Sequence, residues 1–139
     1  MYDRDVSQVT DMSNLLRENT VFDQQLDSWN VSHVTEFGHT FYGTNFNQSL
    51  SSWDTSQATN LQYMFHANHV IRPTLSSWDV SKVKSFKRMF SETTLANPDI
   101  SAWSVPLPCL LSHSRHAHIY LIISSSSLIS LSSDKLFSH

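Results

Sequence analysis

The phrase Leu50-Ser51-Ser52-Trp53-Asp54-Thr55-Ser56 occurs in this chain in four versions. Leu26-Asp27-Ser28-Trp29-Asn30-Val31-Ser32 precedes it; Leu75-Ser76-Ser77-Trp78-Asp79-Val80-Ser81 and the weaker Ile100-Ser101-Ala102-Trp103-Ser104-Val105 follow. These hold all four tryptophans of the protein, spaced 24, 25 and 25 residues apart. A fixed period of that size is the mark of a repeat architecture, in which each unit buries its apolar side against its neighbours. That one regularity excludes most other folds.

Alignment on the tryptophans divides the chain into units 5–29, 30–53, 54–78 and 79–103, within a repeat domain over 1–105. Each unit opens on an Asp or Asn two residues before a Ser: Asp5-Val6-Ser7, Asn30-Val31-Ser32, Asp54-Thr55-Ser56, Asp79-Val80-Ser81. Short polar side chains at that spacing hydrogen-bond locally and shape a turn. A small apolar residue follows at Val9, Val34, Ala58 and Val83. Apolar positions then recur at Met12, Leu15 and Leu16; Phe37, Thr40 and Phe41; Leu61, Met64 and Phe65; Phe86, Met89 and Phe90. This i, i+3, i+4 spacing predicts a helix of about two turns, with Thr10, Thr35 and Thr59 as N-caps. Asp11 and Glu36 fall where the helix dipole favours acids, and Asn19, Gly43 and Asn68 where a helix should stop. In the Leu-x-x-Trp phrase strict alternation fails, and it reads as a short strand entering a turn.

A loop comes between helix and strand. Its signature is Phe22-Asp23 and Phe46-Asn47, degraded to Ile71-Arg72 and Ala96-Asn97, with Pro73 and Pro98 just before the strand. The expected fold is thus an α/β repeat, a solenoid of about four 24–25-residue units, each with a short strand and a short helix. Trp29, Trp53, Trp78 and Trp103 form one structural ladder in this reading, and Phe41, Phe65 and Phe90 a second. A sugar-binding platform would instead need exposed tryptophans.

Several of these phrases resemble a known family. Phe46-Asn47-Gln48-Ser49-Leu50-Ser51-Ser52-Trp53-Asp54 and Leu75 to Val83 are similar to the roughly 25-residue repeats of the BspA-like surface proteins, a branch of the leucine-rich-repeat class once catalogued as a mycoplasma family of unknown function. The family pattern Asp-Val-Ser-x-Val-Thr-x-Met-x-x-Met-Phe matches Asp5 to Leu16 well, and Asp54 to Phe65 and Asp79 to Phe90 with substitutions. The resemblance implies a parallel, right-handed stack displayed on a cell surface as part of a longer protein. It supplies no catalytic residues.

Function is bounded mainly by what the sequence lacks. Net charge is −3 and charged residues make up 15% of the chain, so no basic field for nucleic acid is expected. Lys82, Lys84, Lys87 and Arg88 cluster in one unit and read as a solvated helix face. No apolar run is long enough to span a bilayer. The start, Met1-Tyr2-Asp3-Arg4-Asp5, has no signal-peptide pattern. It opens inside a repeat, which suggests a truncated N-terminus.

Gly38 and Gly43 are the only glycines, so there is no phosphate loop, and no nucleophile-elbow motif is present. Asp5, Asp54 and Asp79 could attract calcium, but their repeat positions favour turn formation. His33, His39, His66, His69 and His139 show no mutual pattern and read as surface residues. Asn30-Val31-Ser32 and Asn47-Gln48-Ser49 are glycosylation sequons.

Residues 106–139 leave the repeat grammar. They hold the lone Cys109, the group His113, His116 and His118, and a Ser-rich run between apolar clusters. A zinc site is conceivable there but lacks a scaffold. The tail reads as poorly ordered, either a capping element or sequence foreign to the repeats. The functional expectation is a non-enzymatic repeat module with no cofactor, a fragment of a cell-surface protein that contacts a protein or other cell-surface ligand in adhesion. The alternative is a passive spacer or stalk. A binding module should present a contiguous aromatic or charged patch, and a spacer a bland Ser/Asn surface.

Overall fold

The structure is a computed structural model that describes residues 4–69, 74–93, 100 and 102–105. Among these residues no helix forms, and β pairing is limited to single-residue parallel bridges, Asp11 to Glu36, Glu36 to Asn60 and Asn60 to Ser85. The expected α/β solenoid of strand–helix units is therefore incorrect. Turns replace both the strand and the helix of each unit. The tail over 106–139, the loop residues Ile71, Arg72, Pro73, Ala96, Asn97 and Pro98, and the zinc-type group with Cys109 lie outside the described residues.

The reason is visible in where the backbone N–H groups go, since each needs a partner. In the first unit the amides of Leu15, Arg17 and Asn19 close local turns onto the carbonyls of Met12, Asn14 and Leu16 at 3.0–3.2 Å. The intervening amides of Asn14, Leu16 and Glu18 donate sideways to Gly38, Thr40 and Tyr42 of the next unit at 2.7–3.0 Å. The alternation repeats: His39, Phe41 and Gly43 donate to Gln62, Met64 and His66, and Tyr63, Phe65 and Ala67 to Lys87, Met89 and Ser91. A helix would direct every amide back into its own chain. Here half of them join neighbouring units.

Two four-residue turns in succession also have an apolar period of four. That period puts Met12 and Leu16, Phe37 and Phe41, Leu61 and Phe65, and Phe86 and Phe90 inside. Over two turns a period of four cannot be told from the helical 3.6, which is why the spacing misled. The third residue of each turn takes a left-handed backbone: Asn14, Glu18, His39, Gly43, Tyr63, Ala67, Arg88 and Glu92 have φ of 51–63°. Turns of type II demand φ > 0 at that place. The expected stops at Asn19 and Asn68 were thus one residue late, because Glu18 and Ala67 turn the chain there, whereas Gly43 does take the left-handed position. Asn19 instead accepts at its Oδ1 from the amides of Val21 and Phe22.

The threonines do not cap helices either. Thr10, Thr35 and Thr59 offer carbonyls to the amides of Thr35, Thr59 and Lys84, each at 2.8 Å, and so carry the parallel ladder beside the bridges. Nor is the tryptophan phrase a strand. The amides of Trp29, Trp53, Trp78 and Trp103 close turns onto Leu26, Leu50, Leu75 and Ile100 at 3.0–3.2 Å. Two apolar residues three apart therefore point the same way. The turn after it has the local bond its residues suggest: Ser7, Ser32, Ser56 and Ser81 donate their amides to Asp5, Asn30, Asp54 and Asp79 at 2.9–3.1 Å.

Stacked units bury these side chains in continuous rows. Phe41 lies 5.4 Å from Phe65 at 3°, and Phe65 lies 5.8 Å from Phe90 at 4°. Trp53, Trp78 and Trp103 stack at 6.3 and 6.4 Å. Each of their indole N–H groups donates to a carbonyl of the preceding unit: Leu26, Leu50 and Leu75. Trp29 is half-buried against the core without a ring partner among the described residues. The carbonyl equivalent for its indole would fall at residue 1 or 2, outside the described residues.

Candidate recognition face

The turns that replace the helix fix where side chains go. Their first residues point inward, and their second and third point out. Units stacked in register therefore set equivalent outer positions side by side. One outer row runs Asn14, His39, Tyr63, Arg88, and the next runs Arg17, Tyr42, His66, Ser91. Four of the eight are ring residues.

These rings touch. His39 stacks on Tyr63 at 4.8 Å and 7°, and Tyr42 stacks on His66 at 4.9 Å and 24°. His39 also meets Tyr42 at 5.7 Å, and Tyr63 meets His66 edge-on at 5.4 Å, so the two rows join into one patch. Cations lie at both ends. The Arg17 guanidinium lies 4.8 Å from the Tyr42 ring centre; Lys87 and Arg88 lie 5.9 and 6.0 Å from that of Tyr63. Such contacts favour a cation over a ring face, and they keep long side chains ordered on the surface.

Two carboxylates border the patch. Glu18 is 3.5 Å from Arg17, and Glu92 is 3.7 Å from His66 Nε2. Lys87 and Arg88 are exposed and form no ion pair among the described residues. His66 is only 5% exposed, and its Nδ1 has no hydrogen-bond partner among the described residues. Burial pushes its pKa below the usual imidazole value, against the pull of Glu92 and with some help from Arg88. Burial, then the charges of Arg17 and His66, likewise lowers His39. Both therefore serve as neutral rings near pH 7.

The sequence reading of His39 and His66 as patternless surface residues fails. They sit one outer row apart, and the period of four brings them together through Tyr42 and Tyr63. A search for residues equivalent across units, two and five places after the first turn position, would have found the rows. The basic group also divides. Lys87 and Arg88 belong to the patch. Lys82 instead donates to Gln57 at 2.9 Å, and no helix face exists.

Trp53, Trp78, Trp103, Phe41, Phe65 and Phe90 are buried on the inner side, so none of them offers a ring to solvent. The acids Asp5, Asp54 and Asp79 are used by their turns, and the bonds to Ser7, Ser56 and Ser81 hold their carboxyls below the ordinary value. Among the described residues no three His, Cys, Asp or Glu gather as metal ligands, and no helix is long and apolar enough to cross a membrane. Asn30 is exposed, and its Oδ1 accepts from Ser32 Oγ at 2.7 Å; Asn47 is exposed, and its amide donates to Asp23.

In comparisons with known proteins, a family model described as "Mycoplasma protein of unknown function, DUF285" matches residues 2–103. No curated protein and no solved structure matches the chain.

Proposed function

The chain belongs to that repeat family of unknown function, and from this premise we propose that it is a non-enzymatic recognition module of a cell-surface protein. It acts in adhesion or protein–protein contact through its outer aromatic face. The supporting observation is the continuous patch Arg17–Tyr42–His39–Tyr63–Arg88, which spans all four units. A passive spacer has no use for ordered rings and cations on one side. The Asp-x-Ser turns illustrate what a bland surface looks like in the same molecule. Similarity of the repeat phrases to BspA-like surface proteins supports the surface location and the adhesive role.

The test is adhesion of beads coated with the protein to cells and to extracellular matrix. The comparison variant is His39→Asn with Tyr63→Asn. Asn tolerates the left-handed backbone at both positions and already occupies the same row at Asn14, so the turns survive. Adhesion by the parent that is lost in the variant supports the reading. Equal adhesion by both, or none by the parent, would leave the spacer role.

A further inference from the structure

Building on that reading, we infer that the outer face takes an acidic peptide segment, with two carboxylates spaced to reach Arg17 at one end and Lys87 and Arg88 at the other.

Charge and spacing on this face point to such a partner. Arg17 is in the first unit, and Lys87 and Arg88 are in the fourth, three rungs away. Rungs joined by parallel bridges are about 4.8 Å apart, which puts the two cationic ends roughly 14 Å from each other. An extended peptide rises about 3.3 Å per residue, so side chains four residues apart match that span. Lys87 and Arg88 are exposed and without an ion pair among the described residues, and Tyr63 holds both near the patch. The middle of the face is different. His39, Tyr42 and Tyr63, part-exposed and packed ring to ring with the buried His66, make it a neutral aromatic surface. That surface suits a neutral or aromatic residue between the two acids.

The remaining charge argues against a polyanion. The chain is −3 overall, and Glu18 and Glu92 border the patch. A nucleic acid or an anionic membrane meets a repulsive long-range field, whereas a short segment with two acids feels mainly the local cations. A polar, electrostatically complementary rim around an aromatic centre is the usual composition of a peptide-binding patch.

The experiment measures binding of labelled synthetic peptides to the full chain by fluorescence anisotropy. The acidic probe is acetyl-Glu-Ser-Tyr-Ser-Glu-amide. Controls carry Gln at both ends, Lys at both ends, or the two Glu side by side. The acidic, spaced probe should bind best and weaken as salt rises. Lys87→Gln with Arg88→Asn should weaken it roughly tenfold, and Arg17→Gln by less, since exposed pairs are individually modest. Unchanged denaturation midpoints would show that these variants fold. Equal binding of the Gln probe, no preference for spaced acids, or no binding of any probe at millimolar concentration overturns the inference. If adhesion of the parent is still lost in the His39/Tyr63 variant, such a failure sinks the acidic segment alone and not the recognition role.

Discussion

Replacing Trp53 by Ala tests whether the inner ladder holds the stack together. The Trp53 side chain is 2% exposed and packs on Trp78 at 6.3 Å, Phe37 at 5.6 Å and Phe41 at 6.0 Å. Its indole N–H donates to the Leu26 carbonyl at 2.8 Å, across the unit boundary. Truncating a buried Trp costs about 3–5 kcal/mol, with the spread set by how far the site can collapse. Two features push this site to the upper end. Neighbouring units stay fixed by their sideways amide bonds, so the cavity cannot close, and the Leu26 carbonyl loses its indole donor, about 0.5–1.5 kcal/mol, while it keeps the turn bond from the Trp29 amide. These overlap, and about 5 kcal/mol is expected. Domains of this size have only about 5–15 kcal/mol in total. Trp53→Ala should therefore unfold at very low urea, whereas Trp53→Phe keeps the stacking and loses about 1–2 kcal/mol. Trp29→Ala is the internal control: half-buried, with no ring partner among the described residues, it should cost about 1–2 kcal/mol. Urea titrations followed by the remaining tryptophans measure all three. A parent-like midpoint for Trp53→Ala, or an equal loss at Trp29, would refute the ladder.

Gly43→Ala should lose about 1–2 kcal/mol, because its φ is +63° and a Cβ is strained there, whereas Gly38→Ala should be near neutral, its Cβ meeting nothing nearer than 3.5 Å. Thermal melts of the two variants decide this, and equal Tm values would count against the turn assignment. Asp54→Asn should be neutral, since Asn30 makes the same bond, while Asp54→Ala should lose about 0.5–1 kcal/mol of an exposed local interaction. Stability against pH should fall in two stages. His39 and His66 are held below their unfolded value near 6.5, so their contribution is present above that pH and is lost as pH falls through the lowered folded values. The carboxyls of Asp54 and Asp79 are held below 3.8, so theirs is present above that value and lost only in stronger acid. Denaturation midpoints from pH 8 to 3 should show both stages, and a rise between pH 7 and 5 would contradict the first.

How much of this was legible in the sequence varies by level. The period, the inward position of the later tryptophans and of Phe41, Phe65 and Phe90, and the Asp-x-Ser turns all follow from residue type and spacing. The local conformation did not. Met12, Leu15 and Leu16 fit a helix and a pair of turns equally well, and Leu15 gives the difference away only in the structure, where it is 50% exposed. Left-handed positions usually announce themselves as Gly or Asn. Here six of the eight are Glu18, His39, Tyr63, Ala67, Arg88 and Glu92. Sideways amide bonds to adjoining units pin those residues in a conformation their own preferences oppose, so tertiary context overrides local propensity. The outer face stayed hidden for the same reason. His39 and Tyr63 become neighbours only once the turn period is known.

The central claim is that these units are stacked turns joined sideways, and NMR couplings through hydrogen bonds test it most directly. In isotope-labelled protein the account predicts couplings from the amides of His39, Phe41 and Gly43 to the carbonyls of Gln62, Met64 and His66, and from Tyr63, Phe65 and Ala67 to Lys87, Met89 and Ser91. Couplings from those amides to carbonyls four residues earlier in the same unit would mean helices, and would contradict it.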